Sequence, residues 1–286
     1  MYQNQNFVLS GYHINTLLKS TLGNIKISLN LGLSHEVVNK TENFIYLPNG
    51  ESLDLSILKK ISKRRSEHDC FIVEDNDLSF IYSFENSSVY KLYEPHMDWP
   101  PTLFINGSVM HAVSVSKPTE EGEIKANMLG EVKNNIILDT CFGLGYSSIR
   151  LLDRGAKYIY SYEISESVIK IAKINPWSRK AFEDNRLSLK NKDIKKDISE
   201  LKNEYFDKIL HDPPNVKIDG DLYSLNFYKE LYRILKPKGI LYHFVGGGRI
   251  PREYKVDYLK GVVNRLAYAG FKNIKKSYRG VIAEKA

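Results

Sequence analysis

Two hydrophobic periods alternate along the C-terminal two-thirds of the chain. Short apolar runs rich in β-branched and aromatic residues are followed by stretches whose apolar positions recur every three or four residues. "NNIILDTCFG" reads as a buried strand, "YSSIRLLDRG" as a helix, "KYIYSYE" as a strand and "SESVIKIAKIN" as a helix. A third strand falls around "NRLSLKNKD", and "FDKILHD" is a fourth. "DLYSLNFYKELYRILKPKG" is helical, "GILYHFVGG" is a fifth strand, and "KVDYLKGVVNRLAYAG" is a helix before one or two closing strands. Such alternation predicts an α/β fold with a mostly parallel sheet and helices on both faces, which binds ligands at the carboxyl ends of its strands.

Residues 1–100 have a different texture. "NIKISLNLG" places Ile25, Ile27, Leu29 and Leu31 on one side of a strand. A strand in "ENFIYLPNGESLDLSILKKISKRR" turns at Pro48–Asn49–Gly50 and gives way to a helix carrying Leu55, Leu58 and Ile61. "CFIVEDNDLSFIYSF" reads as two strands about Asp75–Asn76–Asp77. The prolines of "EPHMDWPP" mark a linker. The expected organisation is a small β-rich domain over 1–100 and a Rossmann-like domain over 101–286.

Charge sharpens this division. The net charge is +7, yet residues 1–106 hold 9 basic and 12 acidic residues against 32 and 22 in the remainder. A basic excess confined to one part suits a polyanionic partner such as nucleic acid; a lysine-rich solvated surface explains it equally. Two cysteines without metal-ligand spacing, no basic and apolar leader, and no long apolar run predict a reduced cytoplasmic protein with no membrane and no metal.

The chemistry gathers at strand ends. Asp139, Gly143 and Gly145 follow the first strand and open a helix, where glycines let the backbone approach a ligand closely. The third glycine of a dinucleotide fingerprint is missing, as is a phosphate-loop lysine. Glu163 ends the second strand, 18 residues past Gly145, and Asp193 ends the third. This series resembles class I S-adenosylmethionine-dependent methyltransferases. The resemblance implies that Asp139 and the Gly143–Gly145 backbone hold the methionine part of S-adenosyl-L-methionine, Glu163 the ribose and Asp193 the adenine amine. "LKPKG" is similar to the same family. A dinucleotide enzyme, or plain surface roles for Glu163 and Asp193, are the competing readings.

The fourth strand runs into Asp212-Pro213-Pro214-Asn215. Two prolines end any ladder and leave their carbonyls free in a rigid turn. An amine whose lone pair is delocalised becomes nucleophilic when a carboxylate and a fixed carbonyl accept its hydrogens. Asp212 and a Pro213–Pro214 carbonyl are therefore the candidate catalytic groups; a turn-capping Asp212 is the structural alternative. Many N-methyltransferases carry an aromatic where Asn215 stands, so Tyr223, Phe227 or Tyr242 could supply the stacking ring. Asn215, Tyr223 and Arg249 of the "GGGR" loop are candidate substrate contacts, and His243 reads as a core histidine or a base. Residues 102–286 resemble a family of predicted archaeal methyltransferases that includes a ribosomal RNA enzyme dimethylating cytosine N4. The resemblance implies rRNA methylation giving N4-methylcytidine. A protein N-methyltransferase, an aminopropyltransferase and a non-catalytic RNA-binding protein are the alternatives.

Overall fold

A computed structural model describes residues 6–246 and 252–286. The chain forms two compact units: one gathers Met1–Thr119 with Ser167–Arg179, the other Glu120–Glu166 with Lys180–Ala286.

The first unit contains β1 (Val8–Ser10), α1 (Gly11–Lys19), β2 (Gly23–Ile27), β3 (Glu36–Lys40), β4 (Phe44–Tyr46), β5 (Ser52–Asp54), α2 (Leu55–Arg64), β6 (Cys70–Glu74), β7 (Asp77–Phe80), β8 (Tyr82–Glu85), β9 (Ser88–Tyr93), β10 (Thr102–Ile105) and β11 (Ser108–Val109). They make three antiparallel sheets, ordered β1-β6-β7, β2-β3-β4-β5 and β11-β10-β9-β8. "CFIVEDNDLSFIYSF" forms three strands rather than two, because Ile81 turns inward and separates β7 from β8. β10 pairs onto β9 and β11 onto β10, and so this unit extends past residue 100, where the sequence places the boundary. Leu9, Ile14, Leu17, Leu29, Leu58 and Phe71 fill the core.

A polar network closes the start of α1. The Ser10 N–H donates to His13 Nδ1 at 3.1 Å, which leaves the ring proton on Nε2 to be donated to Asp98 Oδ1 at 3.1 Å. His13, Glu94 and Asp98 lie close enough to hold a cation, but both nitrogens of the His13 ring are spent on these hydrogen bonds.

Onward come α3 (Pro118–Asn127), β12 (Ile136–Asp139), α4 (Tyr146–Asp153), β13 (Tyr158–Glu163), α5 (Glu166–Ile174), α6 (Arg179–Glu183), β14 (Leu187–Asn191), α7 (Ile194–Asp197), β15 (Phe206–His211), α8 (Leu225–Ile234), β16 (Leu235–Phe244), α9 (Arg252–Ala269), β17 (Lys272–Ser277) and β18 (Gly280–Glu284). The second unit is built on a seven-stranded sheet, ordered β14-β13-β12-β15-β16-β18-β17, in which β18 alone runs against the rest.

Alternation along the central strands gives the sheet two cores. Leu138, Ile209 and Leu241 face one way, against Phe227, Tyr228 and Leu231 of α8 and Val262 and Leu266 of α9. Ile137, Leu210 and Tyr242 face the other way, against Ala126 of α3 and Leu151 and Leu152 of α4. With both faces covered, these strands must be apolar at successive positions. "LKPKG", read as a connection, lies within β16: Leu235 pairs with Phe206, and the ladder resumes only at Ile240 opposite Lys208. The proline sits in that bulge, where a missing N–H costs no ladder bond. Among the described residues no helix is long and apolar enough to cross a membrane.

Leu241 is fully buried in the centre of β16. Leu241→Ala is expected to cost about 2–5 kcal/mol of stability through lost transfer energy and the cavity left behind, read by urea unfolding.

Candidate active site

The C-terminal ends of β12, β13, β14 and β15 deliver Asp139, Glu163, Asp193 and Asp212, in that order. Asp139 is buried and turned into the fold. Its Oδ2 accepts from Ser148 of α4 at 2.6 Å and from Ser161 of β13 at 2.9 Å, and its Oδ1 accepts from the Cys141 N–H at 3.3 Å. Burial pushes its pKa up to about 6, against the pull of the two serines. The carboxylate thus braces the glycine loop from below.

Glu163 does the same from the side. Oε2 accepts the Gly143 N–H and Oε1 the Ser165 N–H, each at 3.0 Å, and burial raises its pKa to about 7. Gly145 caps α4 with φ +75°, and a Cβ there would lie 2.4 Å from the Phe142 ring. Gly143 has φ +57°, and a Cβ built on it meets nothing within 4 Å. Open space over a loop held by two carboxylates fits a bound S-adenosylmethionine. Asp193 caps α7, accepting from the Lys195 N–H at 3.0 Å.

At the end of β15, Asp212 Oδ2 accepts from Lys125 Nζ at 2.6 Å, and the same ammonium reaches Glu121 at 3.0 Å. Among the described residues Oδ1 has no hydrogen-bond partner. Burial raises the Asp212 pKa, while Lys125 opposes the rise. Burial alone would lower the Lys125 pKa; Asp212 and Glu121 outweigh it and leave the ammonium held above its ordinary value. The β12–β15 ladder pairs Asp139 with Leu210, two residues before Asp212, which puts Asp212 beside the glycine loop.

The double proline is anchored by Tyr223, whose hydroxyl donates to the Pro214 carbonyl at 2.9 Å. That carbonyl therefore already has one donor. Asn215 is exposed and works locally: its Oδ1 accepts from the Lys217 N–H and its carbonyl from the Ile218 N–H, which closes the next turn. Tyr223, Phe227 and Tyr242 are all at most 5% exposed, so none offers a ring face to a substrate.

The two histidines are core residues. His211 Nε2 donates to the Leu222 carbonyl at 2.9 Å, so its Nδ1 accepts from Thr140 at 2.8 Å. His243 Nδ1 donates to the His211 carbonyl at 3.3 Å, and its Nε2 accepts from Tyr228 at 2.9 Å. Burial holds both rings neutral, His211 with a pKa near 4 and His243 well below its ordinary value. Arg249 lies outside the described residues.

Four neighbours of Asp212 escaped the sequence reading: Glu121, Lys125, Phe244 and Arg279. The β15–β16 register pairs His211 with His243, so Phe244 is the next residue beside Asp212. Its half-buried ring lies 4.1 Å from Lys125 Nζ and 5.4 Å from the Arg279 guanidinium. Lys125 lies on the charged helix α3, and only the fold reveals it as buried.

A family model described as S-adenosyl-L-methionine-dependent methyltransferase matches residues 162–253. An uncharacterized protein of Methanocaldococcus jannaschii is 36% identical over 94% of this chain and 92% of its own length. The chain belongs to the family of that archaeal protein and is an enzyme of the class I S-adenosylmethionine-dependent methyltransferases, with that molecule as cofactor. A polyamine aminopropyltransferase of Prochlorococcus marinus is 39% identical over 82 residues, 28% of this chain and 29% of that one. In fold, the chain is similar to a spermidine synthase solved with a transition-state analogue, at TM-score 0.59 and 16% identity over 74% of this chain and 77% of that one.

Two outcomes follow from the charges. The folded apo protein binds the Glu163 proton more tightly than the unfolded chain does, so this group's contribution to stability is full below pH 4.5 and is lost as pH rises through about 7. Unfolding at pH 5 and pH 8 should show a smaller loss in Glu163→Gln than in the parent. Lys125→Met removes the charge that opposes burial at Asp212; a carboxyl-carbon NMR titration should find the Asp212 pKa about 1–3 units higher than in the parent.

Proposed function

We propose that the protein transfers a methyl group to an exocyclic nucleobase amine in structured RNA, with cytosine N4 of ribosomal RNA as the leading substrate. The observation that carries this reading is the Asp212 carboxylate, placed beside the cofactor loop with one oxygen clamped by Lys125 and the other unbonded. S-adenosylmethionine supplies an electrophilic methyl group when bound. Asp139 and Glu163 hold the loop that receives it, and Asp193 stands where the adenine would be read.

An exocyclic amine is a weak nucleophile because its lone pair is spread into the ring. Oδ1 of Asp212 accepts one amine hydrogen, and a proline carbonyl accepts the other. These contacts draw the lone pair onto nitrogen and aim it, which is alignment and electrostatic stabilisation rather than covalent catalysis. As the N–C bond forms the amine loses a proton, and Asp212 is the nearest acceptor. Lys125 favours the ionised carboxylate that this role requires. Phe244 is the ring beside Asp212 against which a flat base can lie.

The basic excess of residues 107–286 suits contact with RNA phosphates. The amino-terminal part would add docking of a cytoplasmic RNA. A second reading, aminopropyl transfer to a polyamine, is favoured by the aminopropyltransferase stretch and by the spermidine synthase likeness. The same acceptor turn would serve a primary amine.

The separating experiment incubates the protein with methyl-labelled S-adenosylmethionine and a ribosomal RNA transcript, then digests the RNA to nucleosides for mass spectrometry. Labelled N4-methylcytidine is expected, and Asp212→Ala should lower its rate by at least about 100-fold. Label in protein, or a product only from decarboxylated donor and a diamine, would replace the RNA reading.

A further inference from the structure

The first unit is acidic in sum, yet its cations are not spread evenly. Five of the nine basic residues before position 107 fall within seven positions, as Lys59, Lys60, Lys63, Arg64 and Arg65. No acid interrupts them. All five are exposed, and none makes an ion pair among the described residues. The reason lies in the amphipathic pitch of α2. Leu55 and Leu58 turn into the core, so the lysines at i and i+4 are driven to the outer side.

Arg65, which ends this cationic run, links it through the half-buried Phe80 to two exposed rings, Tyr82 and Phe84. The Arg65 guanidinium lies 4.3 Å above the Phe80 ring, and Phe80 stacks on Tyr82 at 5.3 Å with the planes 22° apart. Phe84 follows two residues on. Tyr82 and Phe84 share the outer side of β8, while Phe80, at the end of β7, packs partly against the core. Tyr82 is 60% exposed and Phe84 67%. β8 is moreover the edge strand of its sheet, so no further strand covers these two rings from that side.

The outer faces of Tyr82 and Phe84, and the α2 cations without an ion-pair partner among the described residues, are open to a ligand. Single-stranded nucleic acid matches both features: its phosphates suit the α2 cations, and its unpaired bases suit the ring faces. An acidic peptide would satisfy the lysines and leave the flat rings unused. We propose that α2 and the exposed rings of Tyr82 and Phe84 form a docking surface for a single-stranded stretch of RNA, with phosphates on the helix and bases on the two rings. This deepens the RNA reading above and rests on it for the identity of the partner. It also accounts for how a net acidic part of the chain engages a polyanion.

The test measures binding of the full chain to a fluorescent ribosomal RNA stem-loop with an unpaired tail, by anisotropy over a series of salt concentrations. Neutralising Lys59, Lys60, Lys63 and Arg64 to alanine should weaken binding roughly 10-fold or more near 0.1 M salt and make the log–log salt dependence shallower by about 2–4. Tyr82→Ala with Phe84→Ala should weaken binding roughly 5- to 100-fold while leaving the salt slope unchanged. All six positions are exposed, so thermal unfolding should match the parent and rule out misfolding as the cause. Unchanged affinity in both variants overturns the surface even if methyl transfer to RNA is found. Loss of binding in both upholds it even if the methyl acceptor proves to be something else. Equal binding of polyglutamate or of anionic lipid vesicles to the same face overturns it too.

Discussion

The site rests on a carboxylate buried at the end of the first strand of the large sheet. Asp139 has no ion-pair partner among the described residues; two serine hydroxyls and one backbone N–H hold it. Each bond reaches a different element: Ser148 belongs to α4, Ser161 to β13, and Cys141 to the glycine loop. One side chain therefore fixes the distance from the strand to the helix it feeds, the register of the neighbouring strand, and the path of the loop between. Glu163 extends the brace from β13 back to Gly143. Desolvation raises both acids, so the loop is held by groups that titrate near neutrality. Such perturbed acids mark sites where charge is placed for a ligand rather than for stability.

At the end of β15 the logic is reversed. Asp212 is paired with a cation, and the pair is itself enclosed, with Lys125 shared between Asp212 and Glu121 and lying over Phe244. A buried ion pair seldom adds stability over apolar packing. In the function proposed above, this pair serves to keep the Asp212 carboxylate ionised beside the glycine loop. Behind the motif lies a fully satisfied polar stack. His211, His243, Thr140 and Tyr228 spend their ring and hydroxyl groups on one another or on backbone carbonyls. They stiffen the floor of the Asp-Pro-Pro turn and hold no proton to exchange near neutral pH.

Much of the fold was legible because two periods are written plainly into the chain. Continuous apolar runs require strands covered on both faces, and the helical repeats between them supply the cover. That is why the alternation of strand and helix in the second unit could be read from sequence, together with the glycine loop and the acids at strand ends. Reading failed where a residue's role depends on what packs against it. Tyr223, Phe227 and Tyr242 looked available for stacking, but α8 and β16 carry them into the core. Asn215 looked like a missing aromatic, yet it closes a turn. Lys125 carried no signal in the sequence, yet it is buried against Asp212.

The sequence by itself determined the class of chain: strand and helix order, the glycine loop, and which acids end which strands. These are local properties, set by periodicity and by backbone constraints within a few residues. Only the tertiary structure decided which groups meet. Lys125 and Asp212 are 87 residues apart in the chain and 2.6 Å apart in space. No pattern in either segment reports the other, because helix α3 and strand β15 are brought together by the apolar core on one face of the sheet. The charge pair is a consequence of that packing, and so is the chemistry that Asp212 can perform.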